Sequence, residues 1–270
     1  MNDITDKEFE SIRSYVKKNF GINLNDERRS LVYSRLRSVV AEQGFNNFTQ
    51  YFEHLLKDRT GAEMKKFVNK ITTNHTFFMR EPDHFFYFQD VVLPKIVGNK
   101  PNGDLRLWCA ASSSGEEPYT LMMVILDFFK NKPGWDTKIL ATDLSSNVLD
   151  KAMRGVYTTE SISSLPQEWQ RKYFTKHDET TSIVSNELKS KILFRKFNLM
   201  DDFPFKTQLN VIFARNVMIY FDNPTRNSVV EKFYKHTANG GYLFIGHSES
   251  LSHTATEYKY IMPAVYGKNV

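Results

Sequence analysis

The sequence predicts an α/β protein: a doubly wound, mostly parallel sheet with a small all-helical domain before it and a small antiparallel β-subdomain inserted in it. Three observations carry this reading. Before about residue 100 the apolar residues recur only at helical spacing. From Leu105 short apolar runs alternate with helical patterns, LRLWCA, PYTLMMVILDFF, KILATD, SNVLDKAM, NVIFARN and GYLFIG, and strands that alternate with helices pair in parallel through crossover helices. Between Tyr157 and Lys196 the rhythm breaks into QEWQRKYF, TSIVSNEL and KILFRKF, a helix-like piece followed by the short alternation of an antiparallel insertion.

The elements follow in order. Thr5 and Glu8 make a capping box, after which Phe9, Ile12, Val16 and Phe20 keep helical spacing. Asn25 or Asp26 caps a second helix, whose Leu31, Val32, Leu36 and Val39 run toward a stop at Gly44. Two further helices are predicted near Thr49 to Lys57 and Gly61 to Ile71. The chain therefore divides into a helical domain over residues 1–72, a linker over 73–98 and an α/β domain over 99–270, with the insertion at about 157–196. No internal repeat or low-complexity segment appears.

Composition narrows the function. With 270 residues, 41% of them hydrophobic and 25% charged, the chain has ordinary globular usage and enough length for a substantial core. No apolar run approaches the roughly 20 residues that span a bilayer, and MNDITDKEFE is unlike a signal or transit peptide, so a cytoplasmic location is expected, without membrane insertion. The single Cys109 has no partner for an internal disulfide and reads as a small core residue; no metal site is expected. A net charge of +5 is modest for this length, and no aromatic-basic RNA module is present, so nucleic acid is not the expected partner.

The residues just after each strand matter most, because an open parallel sheet binds ligands outside its carboxyl ends. After the first strand comes WCAASSSGEEPY, a cradle of small residues beginning at Ala110, followed at once by Glu116 and Glu117. After the next comes Asp143, which suits the two hydroxyls of a ribose and suits a helix N-cap equally. Asn198 and Leu199 follow KILFRKF, and Asn216 and Val217 follow NVIFAR; an Asn offers a donor and an acceptor to an adenine edge or an amino-acid head group, and is also a common turn residue. Glu116 and Glu117 complement a helix dipole in either case, but they repel a pyrophosphate. A ligand with a ribose and a cationic end fits this set, and S-adenosylmethionine, with its sulfonium and α-ammonium, is such a ligand.

ITTNHTFFMREPDHF, WCAASSSGEEPYTL, ATDLSSNVLDKAMRGVY, NVIFARNVMIYFD and GGYLFIGHSESL together resemble the chemotaxis receptor methyltransferases of the CheR family, in order across most of residues 5 to 267. The resemblance implies a fold of the S-adenosylmethionine-dependent methyltransferase type, and methyl transfer to glutamate side chains on the cytoplasmic helices of chemoreceptors. It implies that Asn74, Thr76 and Arg80 reach the methionine end of the cofactor. Glu116 matches the acidic contact, with Glu117 as a substitute one place on. Asp143 matches the ribose acid, Asn198 and Leu199 the adenine side, and Asn216 and Val217 the loop after the fourth strand, while Arg80 and Tyr220 face the reacting glutamate. Met79 stands where the family usually has Phe, and fills the same apolar space.

A glutamate of pKa near 4.3 is ionised at pH 7, so methyl transfer to it needs no general base; His75 and His84 read as structural. Arg80 reads either as the clamp on the substrate carboxylate or as a partner of Glu81 or Asp83, and Tyr220 either as a hydroxyl donor or as core. At about 100° per residue Arg28 and Arg35 lie only about 20° apart on the second helix, which makes them candidates for docking an acidic receptor bundle or for an internal ion pair. Members of the family that bind a receptor's C-terminal tether carry a longer, glycine-bearing loop in the β-subdomain; FTKHDETTSIVSNEL has no glycine, so independence of a tether is expected. Two rivals remain beside these: a non-catalytic cofactor-sensing or receptor-docking module, and a serine hydrolase built on GHSES, which fails because His253 and Glu257 follow in the wrong order.

Overall fold

The computed structural model describes residues 3–98, 100, 102–252 and 254–270. Helices α1 (Asp6–Phe20), α2 (Arg29–Glu42), α3 (Phe48–Lys57) and α4 (Ala62–Ile71) form the amino-terminal part. The capping box forms as the sequence predicts: Glu8 N donates to Thr5 Oγ1 at 3.3 Å and Thr5 N donates to the Glu8 carboxylate at 2.9 Å. The start of α2 differs, because Asp26–Arg28 make a 3-10 turn and the Asn25 side chain makes no capping bond. Helices of 10–15 residues are marginal alone, and these four are stabilised by closing one core from Phe9, Ile12, Val32, Leu36, Phe48 and Phe67.

The segment read as a linker is half helical. After an extended stretch it continues as α5 (Asp83–Tyr87), a π-turn over Phe88–Val92 and α6 (Leu93–Val97), which pack Phe85, Phe88 and Val92 against the sheet.

The strands are β1 (Gly103–Asp104), β2 (Leu107–Cys109), β3 (Trp135–Asp136), β4 (Ile139–Asp143), β5 (Val156–Thr158), β6 (Phe174–Lys176), β7 (Thr181–Val184), β8 (Ile192–Lys196), β9 (Leu209–Phe213), β10 (Thr237–Phe244), β11 (Lys259–Met262) and β12 (Val265–Lys268). The main sheet has the order β11-β12-β10-β9-β2-β4-β8, with β12 antiparallel to both of its neighbours and the other pairs parallel. Strand order reverses between β2 and β9, and at such a switch point the departing loops open a crevice. The first crossover helix, α7 (Glu116–Phe128), buries most of its residues, which explains why its sequence has so little polar face.

One boundary needs correction. KILFRKF belongs to the main sheet, since β8 pairs in parallel with β4 from Ile139↔Ile192 to Asp143↔Lys196. The antiparallel subdomain is β5-β7-β6, so the insertion ends before Ile192 and not at Lys196. The alternation in KILFRKF arises because β8 is an edge strand of the main sheet, and its residues are alternately buried and exposed from Ile192 to Arg195. Among the described residues no helix is long and apolar enough to cross a membrane.

Candidate active site

A cavity of about 270 Å³ lies at the carboxyl ends of β2, β4, β8 and β9, and α1, α2 and the segment between them form its opposite wall through Phe20, Ile22, Leu24 and Leu31. The wall is tied down by an antiparallel bridge between Ile22 and Phe221, by Asn23 N donating to Tyr220 O at 2.7 Å, and by Lys17 paired with Asp222 at 2.7 Å. Hence neither part of the chain makes this cavity alone.

The loop after β2 is fixed by close packing. Gly115 has φ 100°, and a Cβ there would fall 2.7 Å from the Tyr157 hydroxyl and 2.9 Å from Ala152 Cβ. Ala110 lines the cavity from this loop. Ser113 N donates to Asp143 Oδ2 and Ser145 N to Asp143 Oδ1, each at 2.9 Å, so one carboxylate joins the loops after β2 and β4. Burial pushes the Asp143 carboxyl up, against the pull of these N–H groups. Asp143 lines the cavity, while the N-cap position of helix α8 (Ser146–Arg154) is Ser145.

The two glutamates part company. Glu116 does not line the cavity; it is 5% exposed and accepts from Ser114 Oγ at 2.7 Å, with burial pushing its carboxyl up. The expectation that Glu116 reaches the cavity is thereby corrected, because successive helical residues point about 100° apart. Glu117 lines the cavity. Its Oε1 accepts from Cys109 Sγ at 3.1 Å and its Oε2 from Arg215 Nη1 at 2.6 Å. Cys109 is buried, and burial pushes its thiol up, so it remains a protonated core group.

Arg215 is the residue that the sequence reading missed. Its side chain is 1% exposed, pairs with Glu117 and with Glu81 at 3.0 Å, and donates to the Arg80 carbonyl. Burial pushes Glu81 up, but the Arg215 guanidinium beside it and hydrogen bonds from Asn216 and the His247 backbone together hold its carboxyl below the usual range. Two carboxylates on one guanidinium leave the group one charge negative, a wall suited to a cation. The signal was an Arg directly after the apolar run NVIFA, where a strand ends. Met79 and Glu81 both have φ 56°, a left-handed corner that Arg215 grips at its centre. Met79 packs against the core as its apolar character predicts.

Glu81, His84 and His247 bring ligand atoms within 4.8 Å of one another. Glu81 is already engaged by Arg215 and by Asn216 Nδ2 at 3.3 Å, and a divalent cation there would face the guanidinium. Burial, then Arg215, lower His84 to about 4, so it is neutral and structural near pH 7.

The other predicted residues converge on the same cavity. Asn74 and Thr76 line it, with the Asn74 carbonyl accepting from Ser113 Oγ at 3.0 Å. Asn198 and Leu199 line it from β8, but Asn198 also works as an inter-domain brace, donating to Asn19 O at 2.7 Å. Asn216 (φ 57°) and Val217 line it from β9. Arg80 lines it too, donating to His75 O at 2.8 Å and leaving Glu81 to Arg215. Tyr220 is half-buried at the cavity edge, with the Arg28 guanidinium 5.1 Å above its ring. Arg35 lines the cavity as well, and its guanidinium donates to the carbonyls of Ile71 and Thr72 and to Thr73 Oγ1, so it holds the linker. His253, named in the hydrolase alternative, lies outside the described residues.

Comparison with known proteins gives the family. Residues 7–72 match the family model "CheR methyltransferase, all-alpha domain" and residues 74–266 match "CheR methyltransferase, SAM binding domain". The chain is 41% identical to a chemotaxis protein methyltransferase of Borreliella burgdorferi, over 99% of this chain and 96% of the relative. It is 36% identical to a probable chemotaxis protein methyltransferase of Rhizobium etli, over 86% and 88%, and 34% identical to the chemotaxis protein methyltransferase of Escherichia coli, over 97% and 91%.

Proposed function

The chain belongs to the CheR methyltransferase family, and on that premise we propose that it transfers methyl groups from S-adenosylmethionine to glutamate side chains of chemoreceptors, with Arg80 and Tyr220 at the reacting centre. The observation that carries the site assignment is the convergence of strand-end residues on one cavity whose wall has a buried carboxylate, Asp143, and a triad of surplus negative charge, Glu81–Arg215–Glu117. These residues fit the cofactor: Asp143 would hold the ribose, Asn198 and Leu199 the adenine, and Asn74, Thr76, Glu117, Asn216 and Val217 the methionine end. When bound, the cofactor supplies an electrophilic methyl on a sulfonium.

The protein's task is then to bind, orient and exclude water. Arg80 would hold the substrate carboxylate by a planar pair of N–H groups and so fix the direction of its oxygen lone pairs. Tyr220 offers its hydroxyl to the other oxygen, and its ring covers the methyl path. No proton moves in this step. The carboxylate is ionised before it arrives, and a water-poor cavity would favour the mutual neutralisation of its charge and the cofactor's sulfonium.

For receptor docking the supported residue is Arg28, stacked on Tyr220 at the cavity edge, and no longer Arg35. Independence of a tether stays part of the proposal, on changed grounds. The loop turns tightly without glycine, because Asp178 Oδ1 accepts from Thr180 N and Thr181 N, each at 2.8 Å. What supports independence is the shortness of the β6 edge, Phe174–Lys176, which offers a peptide few ladder bonds.

The test is transfer of labelled methyl from S-adenosylmethionine to a receptor cytoplasmic fragment, with the label released as methanol in base. Transfer that is absent, or that resists base, would refute ester formation. Calorimetric titration of the full chain with C-terminal receptor peptides addresses the tether, and micromolar binding would overturn its independence.

A further inference from the structure

We propose that Glu249 is a positioning residue for methyl transfer, a buried carboxylate that holds the Asn216–Tyr220 loop in the shape that presents Tyr220 to the cavity. Its motif, GHSES, has no place in the assigned site, and Glu249 does not line the cavity. Yet the side chain is only 7% exposed and is fully engaged. Oε2 accepts from Gly246 N at 2.6 Å and from Asn216 N at 2.9 Å, and Oε1 accepts from Ile219 N at 3.1 Å.

These donors come from the loops after β9 and β10, neighbouring parallel strands. Asn216 is in the left-handed region and Met218–Tyr220 is a single 3-10 turn, so the loop has too few internal hydrogen bonds to fix its own shape. Glu249 supplies the missing acceptor from outside. The loops approach closely: a Cβ on Gly246 would fall 2.2 Å from Asn216 Nδ2, so glycine is required there for the carboxylate to reach both. Burial pushes the Glu249 carboxyl up and its N–H partners oppose that, as in a site built around an anion. A glutamine of the same shape has one acceptor oxygen and turns an NH₂ toward N–H groups, which undoes the arrangement while keeping the volume.

The proposal rests on the methyltransferase reading, and transfer by the wild-type chain tests that reading separately in the same assay. Glu249→Gln is expected to lower kcat for receptor methylation at least tenfold while KM for the receptor fragment changes less than threefold. A loss of merely structural origin would not depend on Tyr220, so the decisive measurement is a double-mutant cycle. In a Tyr220→Phe background Glu249→Gln is expected to cost less than threefold further. Full multiplication of the two losses, or kcat of Glu249→Gln within twofold of wild type, would overturn the proposal. If Glu249→Gln does not fold, Glu249→Asp, which keeps the charge on a shorter arm, replaces it in the same cycle with the same criteria.

Discussion

Replacing Asp143 by Ala separates two roles that the structure gives to one carboxylate. The backbone role is visible: Ser113 N and Ser145 N each lose a 2.9 Å acceptor. An unpaired buried N–H costs about 1–3 kcal/mol, and water entering from the adjoining cavity keeps the total near the lower end, about 2 kcal/mol. For a chain of this size that lowers Tm by about 4–8 °C. The ligand role is separate. A charge-assisted bond to a ribose contributes about 1.5–3 kcal/mol, so the Kd for S-adenosylhomocysteine should rise roughly 10- to 150-fold. Differential scanning calorimetry gives the first number and titration calorimetry the second, on the same preparations. A lowered Tm with an unchanged Kd would return Asp143 to scaffolding and refute its assignment to the ribose.

Other outcomes follow from the same contacts. Arg80→Ala should remove most methyl transfer, and Tyr220→Phe, which deletes only a hydroxyl, should lower kcat with little change in cofactor affinity; wild-type rates in both would end the catalytic assignment. Arg215→Met leaves Glu81 and Glu117 unpaired beside a cavity and should destabilise by about 3–5 kcal/mol, measured by urea unfolding. Adding Glu81→Gln to Arg215→Met should recover part of that loss, and no recovery would argue against the charge account. Asp222 is held down to about 2 by Lys17 and by its capping bond to Thr225 N. A lowered pKa stabilises the fold above the unfolded value, near 4, and the gain is lost as pH falls through about 2. Asp222→Ala should therefore cost about 1 kcal/mol at pH 7, and the gap in Tm between it and wild type should close between pH 4 and pH 2.

The sequence by itself determined the helical start, the alternating α/β sheet and the strand ends where ligand residues gather, because these depend on local signals: the Thr5–Glu8 box, hydrophobic periodicity, and polar residues placed directly after apolar runs. It did not determine what those residues touch. That KILFRKF joins the main sheet, and not the insertion, depends on its pairing with β4, 53 residues away in the chain by the register Ile139↔Ile192. Glu116 and Glu117 are adjacent and chemically identical, and only the orientation of α7 against β2 buries one and gives the other to Arg215. Arg35 likewise reads either as a docking residue or as an internal partner until α4 and the linker bring three acceptors to it. Glu249 could not be assigned to the loop it holds, since its donors there lie 30 and 33 positions back along the chain, at Ile219 and Asn216, and meet it only because β9 and β10 are neighbours. Charged side chains act at distances set by folding rather than by sequence, so a motif reveals that an acid or a base is present, and the tertiary contacts decide whether it binds, braces or is neutralised.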